Sequence, residues 1–394
     1  MSFCTCLAGR NSPTIALAIL LAAILAGCAS RPEGVLAPIA NMTTDTAKID
    51  MLVATTREPT KESGVFFTGE RGADLSLANV VVSIPPSREI GTIQWPSRTP
   101  GDPEREFVTT AVDPMDREDL QPWFRAHSVK GRRVVIFVHG FNTRFDDSVF
   151  RFAQVIHDSR ADVAPILFSW PSRGSIFDYN YDRESTNFSR ADLAYVIRQA
   201  VRSRDVSEIT IMAHSMGCWL AVEALRDISL QAGEISPKIS AVILASPDID
   251  VDVFRKQMAE IGPKRPQFTI FVSANDRALR VSRFISGSVT RVGGVDLDMK
   301  QYQERIASIG GVTVLDLTAL RNGDALNHSQ FATSPEVVRL LGDRLIEGQI
   351  ISDSDVGPPN EFSAAAVGAR EAIGAVAGAV LTAPIRIVQS ASPQ

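Results

Sequence analysis

The chain lacks the features that would let it bind nucleic acid, cross a bilayer by an ordinary helix or staple itself with disulfides. Its 40 Lys and Arg are outnumbered by 45 Asp and Glu, for a net charge of −5 in 394 residues. Nucleic-acid binders show a bulk basic footprint, so that partner class is not expected. No apolar run reaches 18 residues, so no ordinary spanning helix is expected. There is no GxxxxGK followed by Ser or Thr, no GxGxxG, no HExxH and no paired CxxC. Nucleotide and zinc chemistry are therefore not indicated, and neither a cofactor nor a metal is implied. Cysteine is sparse, at positions 4, 6, 28 and 218. What is there is ordinary: 45% hydrophobic and 22% charged residues, enough for one large α/β domain or two smaller ones.

The first residues read as an address. Arg10 is the one charge ahead of a twelve-residue apolar run, Ile15–Ala26. That is too short for the bilayer core and suits a signal peptide. The run ends in Leu25-Ala26-Gly27-Cys28, which resembles a bacterial lipobox. The resemblance implies that residues 1–27 are removed, that Cys28 is lipidated and that the mature chain has 367 residues. With Ala29 and Ser30 following and no Asp beside the cysteine, it implies an envelope lipoprotein on the outer membrane facing the periplasm. Cys4 and Cys6 then leave with the signal and Cys28 is capped. Cys218 stands alone, so stability must come from a packed core rather than disulfides.

Residues 28–46 are small, polar and proline-bearing and read as a tether. Strand-like runs at Met51–Thr55, Val80–Ile84 and Phe107–Val112 mark 47–130 as an N-terminal strand extension. From 131 to 350 short, nearly continuous apolar runs alternate with helical patterns. The runs are Val134–Val138, Pro165–Phe168, Ile209–Met212, Ile239–Ala245, Phe268–Val272 and Val312–Leu317. Helices are expected at 146–160, 189–203, 216–229, 251–261, 276–288 and 335–347. Such strands between helices predict a doubly wound, mostly parallel sheet covered on both faces, with ligands at the carboxyl ends of the strands. The Ala/Gly-rich tail, 351–394, contains Ala372–Ile385, a 14-residue apolar stretch too short to span.

Chemistry concentrates at two strand ends. Ala213-His214-Ser215-Met216-Gly217 lies between an apolar strand and an amphipathic helix and resembles the nucleophile elbow G-x-S-x-G. The turn exposes the oxygen of Ser215 and requires small neighbours, here Ala213 and Gly217. Earlier, His139-Gly140-Phe141-Asn142 ends another strand and resembles the HG loop of α/β-hydrolases. The N–H groups of Phe141 and Met216 would form an oxyanion hole, with Gly140 allowing close approach and His139 shaping the loop. Of five histidines, at 127, 139, 157, 214 and 328, only His328 follows Ser215. The hydrolase order is Ser, acid, His, so His328 is the expected base. Asp276, in FVSANDRAL, is the preferred acid, and Asp248, in LASPDID, is the alternative. Either could instead be a helix N-cap.

From about Met51 to Leu345 the chain resembles a bacterial α/β-hydrolase-fold family of uncharacterised function within the esterase/lipase superfamily. The matching phrases include MLVATTREP, VVVSIPPSREIGTIQWPS, VIFVHGFNTRFDDSVFRFAQ, FSWPSRGSIFDYNYDRESTNFS and MAHSMGCWL. The resemblance implies a serine hydrolase, carboxylesterase-like, cleaving a small acyl ester through an acyl-enzyme. Only about 20 residues separate Ala245 from Phe268, so no large cap is expected. The cover should be 171–188, with Trp170, Tyr179, Tyr181, Asp182 and Arg183 as candidate substrate contacts. A non-catalytic binding lipoprotein, or a peptidase or acyltransferase using the same triad, remains open.

Overall fold

Apolar runs five to seven residues long build the middle of one sheet because both their faces are covered. They form β4 (Arg133–Val138), β5 (Ala164–Ser169), β6 (Glu208–His214), β7 (Ile239–Ala245), β8 (Gln267–Val272) and β9 (Val312–Asp316). The alternation along β4 shows the consequence. Val134, Ile136 and Val138 enter one buried cluster, while Val135 and Phe137 enter the other, on the opposite face. This computed structural model describes residues 32–39, 45–128, 132–320, 324, 326–347 and 385–389. The expected signal peptide, Cys28 and most of the tail lie outside them.

Ahead of the parallel strands come β1 (Ala47–Pro59), β2 (Phe67–Ile84) and β3 (Val108–Met115), the expected extension. These three form an antiparallel meander, and β1 also pairs in parallel with β5, which splices the meander onto the main sheet. A last strand, β10 (Arg386–Gln389), lies antiparallel on β9. Among the described residues the ten strands run in the order β10-β9-β8-β7-β6-β4-β5-β1-β2-β3.

The helices are α1 (Leu120–His127), α2 (Phe145–Ser159), α3 (Tyr179–Arg202), α4 (Met216–Ala232), α5 (Val251–Ile261), α6 (Arg277–Ile285), α7 (Lys300–Ile309), α8 (Gln330–Thr333) and α9 (Pro335–Glu347). The architecture is the expected doubly wound α/β-hydrolase-like fold. Between β7 and β8 only α5 is inserted, with Asp250 Oδ1 capping its first turn through the N–H groups of Asp252 and Val253.

Three features differ from the sequence reading. Helix α3 begins at Tyr179, ten residues before the expected start, because Tyr179, Asp182, Ser185, Thr186 and Ser189 turn inward and are buried despite their polarity. Within the segment read as a tether, Val35 and Leu36 are buried, and Ile39 N–H donates to Thr109 O at 2.9 Å. At the other end Ile385 is buried and leads into β10. A Val-Leu pair and an Ile-rich strand gain more by joining an available apolar face than by remaining in water.

Candidate active site

The sharp turn between β6 and α4 places Ser215 at φ 52°, ψ −121°, a conformation that non-glycine residues rarely adopt. Its backbone is pinned on both sides. Ser215 N–H donates to Ala245 O at 2.9 Å, and Ser215 O accepts from Asp248 N–H at 3.1 Å. The following residue, Met216, opens α4, so its N–H points out of the helix N-terminus, where partial positive charge collects. Cys218, one turn into the helix, is buried with Sγ 3.3 Å from Ala213 O, and burial pushes its thiol well up, out of nucleophilic range.

The loop after β4 lies directly against this elbow. A Cβ on Gly140 would sit 3.0 Å from Ser215 Cβ and 2.9 Å from His214 Nδ1. A Cβ on Gly217 would sit 2.2 Å from His139 O and 2.7 Å from Val138 O. The two glycines therefore permit a contact that any side chain would block. Neither Phe141 N–H nor Met216 N–H has a protein acceptor among the described residues.

Much of the surrounding polar structure holds that loop. Asp182, fully buried, accepts from Asn142 N–H at 3.2 Å, from Arg173 N–H at 3.1 Å and from Ser172 Oγ. Burial holds its carboxyl above the ordinary range, against these hydrogen bonds and the charge of Arg57. Trp170, also fully buried, stacks on His139 at 4.8 Å and donates Nε1–H to His139 O at 2.7 Å. Both residues were expected at the substrate rim. They lie beneath the loop instead, since α3 starts early enough to carry Asp182 inward. Tyr179 is buried against Phe141, ring centroids 5.3 Å apart. Tyr181 lies under the guanidinium groups of Arg173 and Arg71. Arg183 alone of the five is exposed.

Arg57, on β1, was not singled out from the sequence. Its guanidinium is buried and donates to Ser169 Oγ, Thr68 O, Ser172 O and Thr143 O at 2.7–3.1 Å, with His139 Nε2 at 3.4 Å. Burial lowers its pKa to about 10, an effect limited by the charges of Asp182, Asp146 and Asp147. Burial and the Arg57 charge together push His139 down to about 3, so this histidine is neutral and shapes the loop. The only sequence signal for Arg57 was an arginine inside an otherwise buried strand pattern. A cavity of about 210 Å³ opens beside it, lined by Glu62, Phe67, Arg144, Phe145 and Arg173 among others, and includes neither Ser215 nor His328.

The two residues expected as base and acid, His328 and Asp276, meet across the strand ends. His328 Nδ1 lies 2.7 Å from Asp276 Oδ2. The second oxygen of Asp276 accepts from Leu279 N–H at 2.9 Å, so one carboxylate both caps α6 and faces the imidazole. Asp324 Oδ1 accepts from the N–H groups of His328 and Ser329 at 2.8 and 3.0 Å. His214 adds a contact the sequence had not suggested: Nε2 lies 3.0 Å from His328 O, and the two rings are 4.7 Å apart. Burial lowers the His328 pKa, but the hydrogen bond and charge of Asp276, with the charges of Asp248 and Asp324, outweigh it and leave the pKa raised. Asp248 is engaged elsewhere. It accepts from Tyr179 OH at 3.0 Å and Ser282 Oγ at 2.6 Å, with Arg291 Nε at 3.1 Å.

Comparison with known proteins places this geometry in context. The family described as Alpha/beta hydrolase of unknown function (DUF900) matches residues 116–344. An uncharacterized protein of Nostoc sp. (strain PCC 7120), alr1448, is 26% identical over 158 residues, which is 34% of this chain and 41% of that one. The alignment thus spans less than half of that relative. Among solved structures, a predicted CIB-like hydrolase from Thermoplasma acidophilum has a TM-score of 0.34 at 17% identity, over 55% of this chain and 87% of that one. The lin2722 gene product of Listeria innocua gives 0.33 at 12% identity, over 56% and 95%.

Proposed function

The chain belongs to the alpha/beta-hydrolase family of unknown function, and from that premise we propose that it is a serine hydrolase of the carboxylesterase type. The observation that carries this reading is the 2.7 Å contact between His328 Nδ1 and Asp276 Oδ2, beside a serine in a strained strand-to-helix turn. Ser215 Oγ attacks the acyl carbonyl carbon while His328 Nε2 takes its proton. Asp276 keeps the imidazole in the required tautomer and stabilises the imidazolium without itself taking the proton. The N–H groups of Phe141 and Met216 hold the oxyanion, and losing one such donor costs about 10²–10³ in rate. His328 then protonates the leaving alcohol, and a water, deprotonated by the same nitrogen, releases the acid and restores Ser215.

Arg57 and Asp182 support this reading through position rather than contact. Both fix residues 139–143, so the second oxyanion donor needs no reorganisation during reaction. A lipid anchor on Cys28 would place the enzyme in the cell envelope, on the outer membrane facing the periplasm. Small acyl esters are the proposed substrates.

Treatment with a fluorophosphonate probe, followed by ester, thioester and peptide panels, tests the proposal. Labelling lost in Ser215→Ala is expected, with preference for esters. Absent labelling, or labelling that survives Ser215→Ala, would falsify the serine mechanism. For the anchor, Cys28→Ser should release the protein from the membrane fraction; unchanged retention would overturn it.

A further inference from the structure

Among the described residues, ten large apolar side chains are exposed, and seven of them fall on three adjoining segments at one end of the sheet. Two are in the loop after β5, where Ile176 and Phe177 protrude and Phe177 is 91% exposed. Four follow β8: Val281, Phe284 and Ile285 on α6, then Val289, with Phe284 82% exposed. The seventh is Leu326, two residues before His328. Hydrogen bonds tie these segments together. Tyr179 OH lies 3.0 Å from Ser282 Oγ, and Arg277 N–H donates to Leu326 O at 2.9 Å. A soluble surface normally scatters such residues singly, so a clustered set marks an interaction surface.

The composition of α6 identifies the partner. The nine-residue helix buries only Leu279 and Ser282. Its remaining face carries Val281, Phe284 and Ile285 as an apolar stripe, flanked by exposed Arg277, Arg280 and Arg283. The chain as a whole is acidic, at −5, so this basic flank is local. An apolar stripe bordered by arginines fits the boundary between headgroups and acyl chains of an anionic bilayer. A protein partner would not require the cationic border. Asp276 caps this helix and contacts His328, so α6 begins at the candidate active site.

We infer that α6 and the Ile176-Phe177 loop form a membrane-docking surface that sets the catalytic mouth on an anionic lipid surface, from which acyl-ester substrates are taken. This deepens the proposed hydrolase reading and rests on it for the substrate class. The docking itself is tested without catalysis. Hydrogen–deuterium exchange of the full chain is measured with phosphatidylglycerol vesicles, with phosphatidylcholine vesicles and with none. Protection at 175–178 and 278–289, greater with phosphatidylglycerol, is the expected result; it is local, so an anchor elsewhere in the chain does not mimic it. The Phe177→Ser/Phe284→Ser variant should lose that protection. It should also hydrolyse a vesicle-embedded ester about tenfold more slowly than the parent, with turnover of the same acyl group on a water-soluble ester unchanged. Absence of protection with vesicles overturns the docking surface. So does protection that grows with protein concentration alone, which would assign the face to a second copy of the chain. Protection without any turnover would leave the surface standing and sink the hydrolase reading instead.

Discussion

Substituting Gly217 by alanine tests whether the elbow and the oxyanion loop act as one unit. The new methyl would fall 2.2 Å from His139 O, about 0.8 Å inside the 3.0 Å approach below which something must shift. His139 O cannot swing aside freely, since it accepts Trp170 Nε1–H at 2.7 Å, and Val138 O blocks the other direction at 2.7 Å. Overpacking of this kind costs about 1–3 kcal/mol, and a weakened hydrogen bond adds about 0.5–1.5 kcal/mol. In a domain of roughly 300 residues, with an unfolding entropy of about 2.1 cal/mol/K per residue, that lowers Tm by roughly 2–7 °C. The shift falls between the two proposed oxyanion donors, so kcat should drop about a hundredfold, the effect typical of a 1 Å misplacement. Gly233→Ala is the control. Gly233 ends the same helix at φ +82° with open space around it, so strain should cost roughly 1–2 kcal/mol and leave kcat unchanged. Ester turnover and thermal melts of the two variants decide. A Gly217→Ala enzyme with kcat within threefold of the parent would refute the argument that backbone contact at this glycine positions the site.

Three further outcomes follow from the same geometry. Asp276→Asn should lower kcat by about 10⁴, as expected when an imidazole loses its orienting carboxylate, whereas Asp248→Asn should act mainly on stability; kcat and Tm measured on both variants separate the two acids. Because His328 must be neutral to act as base and its pKa is raised, kcat/KM should climb with pH through a midpoint above 6.5, and a midpoint below that value would contradict the Asp276 contact. Arg57→Met should unfold or strongly destabilise the chain, by about 3–5 kcal/mol, and Arg57→Lys should restore little, since three ammonium donors cannot reach the spread of acceptors the guanidinium serves; urea midpoints of both variants provide the check.

On the acid side the pH behaviour of the fold should be set by the buried His214, whose pKa burial lowers well below 6.5, and by His139. The folded pKa of His139 is about 3, depressed from 6.5, so the native state excludes a proton that the unfolded chain accepts. Stability is therefore fully present above about pH 6.5 and falls as pH drops toward 3. His328 works with the opposite sign: its raised pKa contributes stability below 6.5 that is lost as pH rises through the folded value.

The sequence by itself determined the sheet and the points where chemistry could occur. Nearly continuous apolar runs at 134–138, 209–212 and 239–245 are those of interior strands, and small residues at Ala213 and Gly217 mark a turn in which strand and helix nearly touch. Chain order singled out His328 from five histidines. The two aspartates look alike in the sequence, since both follow strand ends and both suit helix N-caps. Only packing directs Asp276 toward His328 and Asp248 toward Tyr179, Ser282 and Arg291. It also moved Trp170 and Asp182 from an expected rim to a buried support: Trp170 follows a strand end, where side-chain direction has no period to read, and Asp182 lies on a helix whose early start its polar residues conceal. And it brought Arg57 under a loop more than 80 residues away, where an isolated arginine in a strand becomes the centre of a hydrogen-bond network that only a folded sheet can assemble.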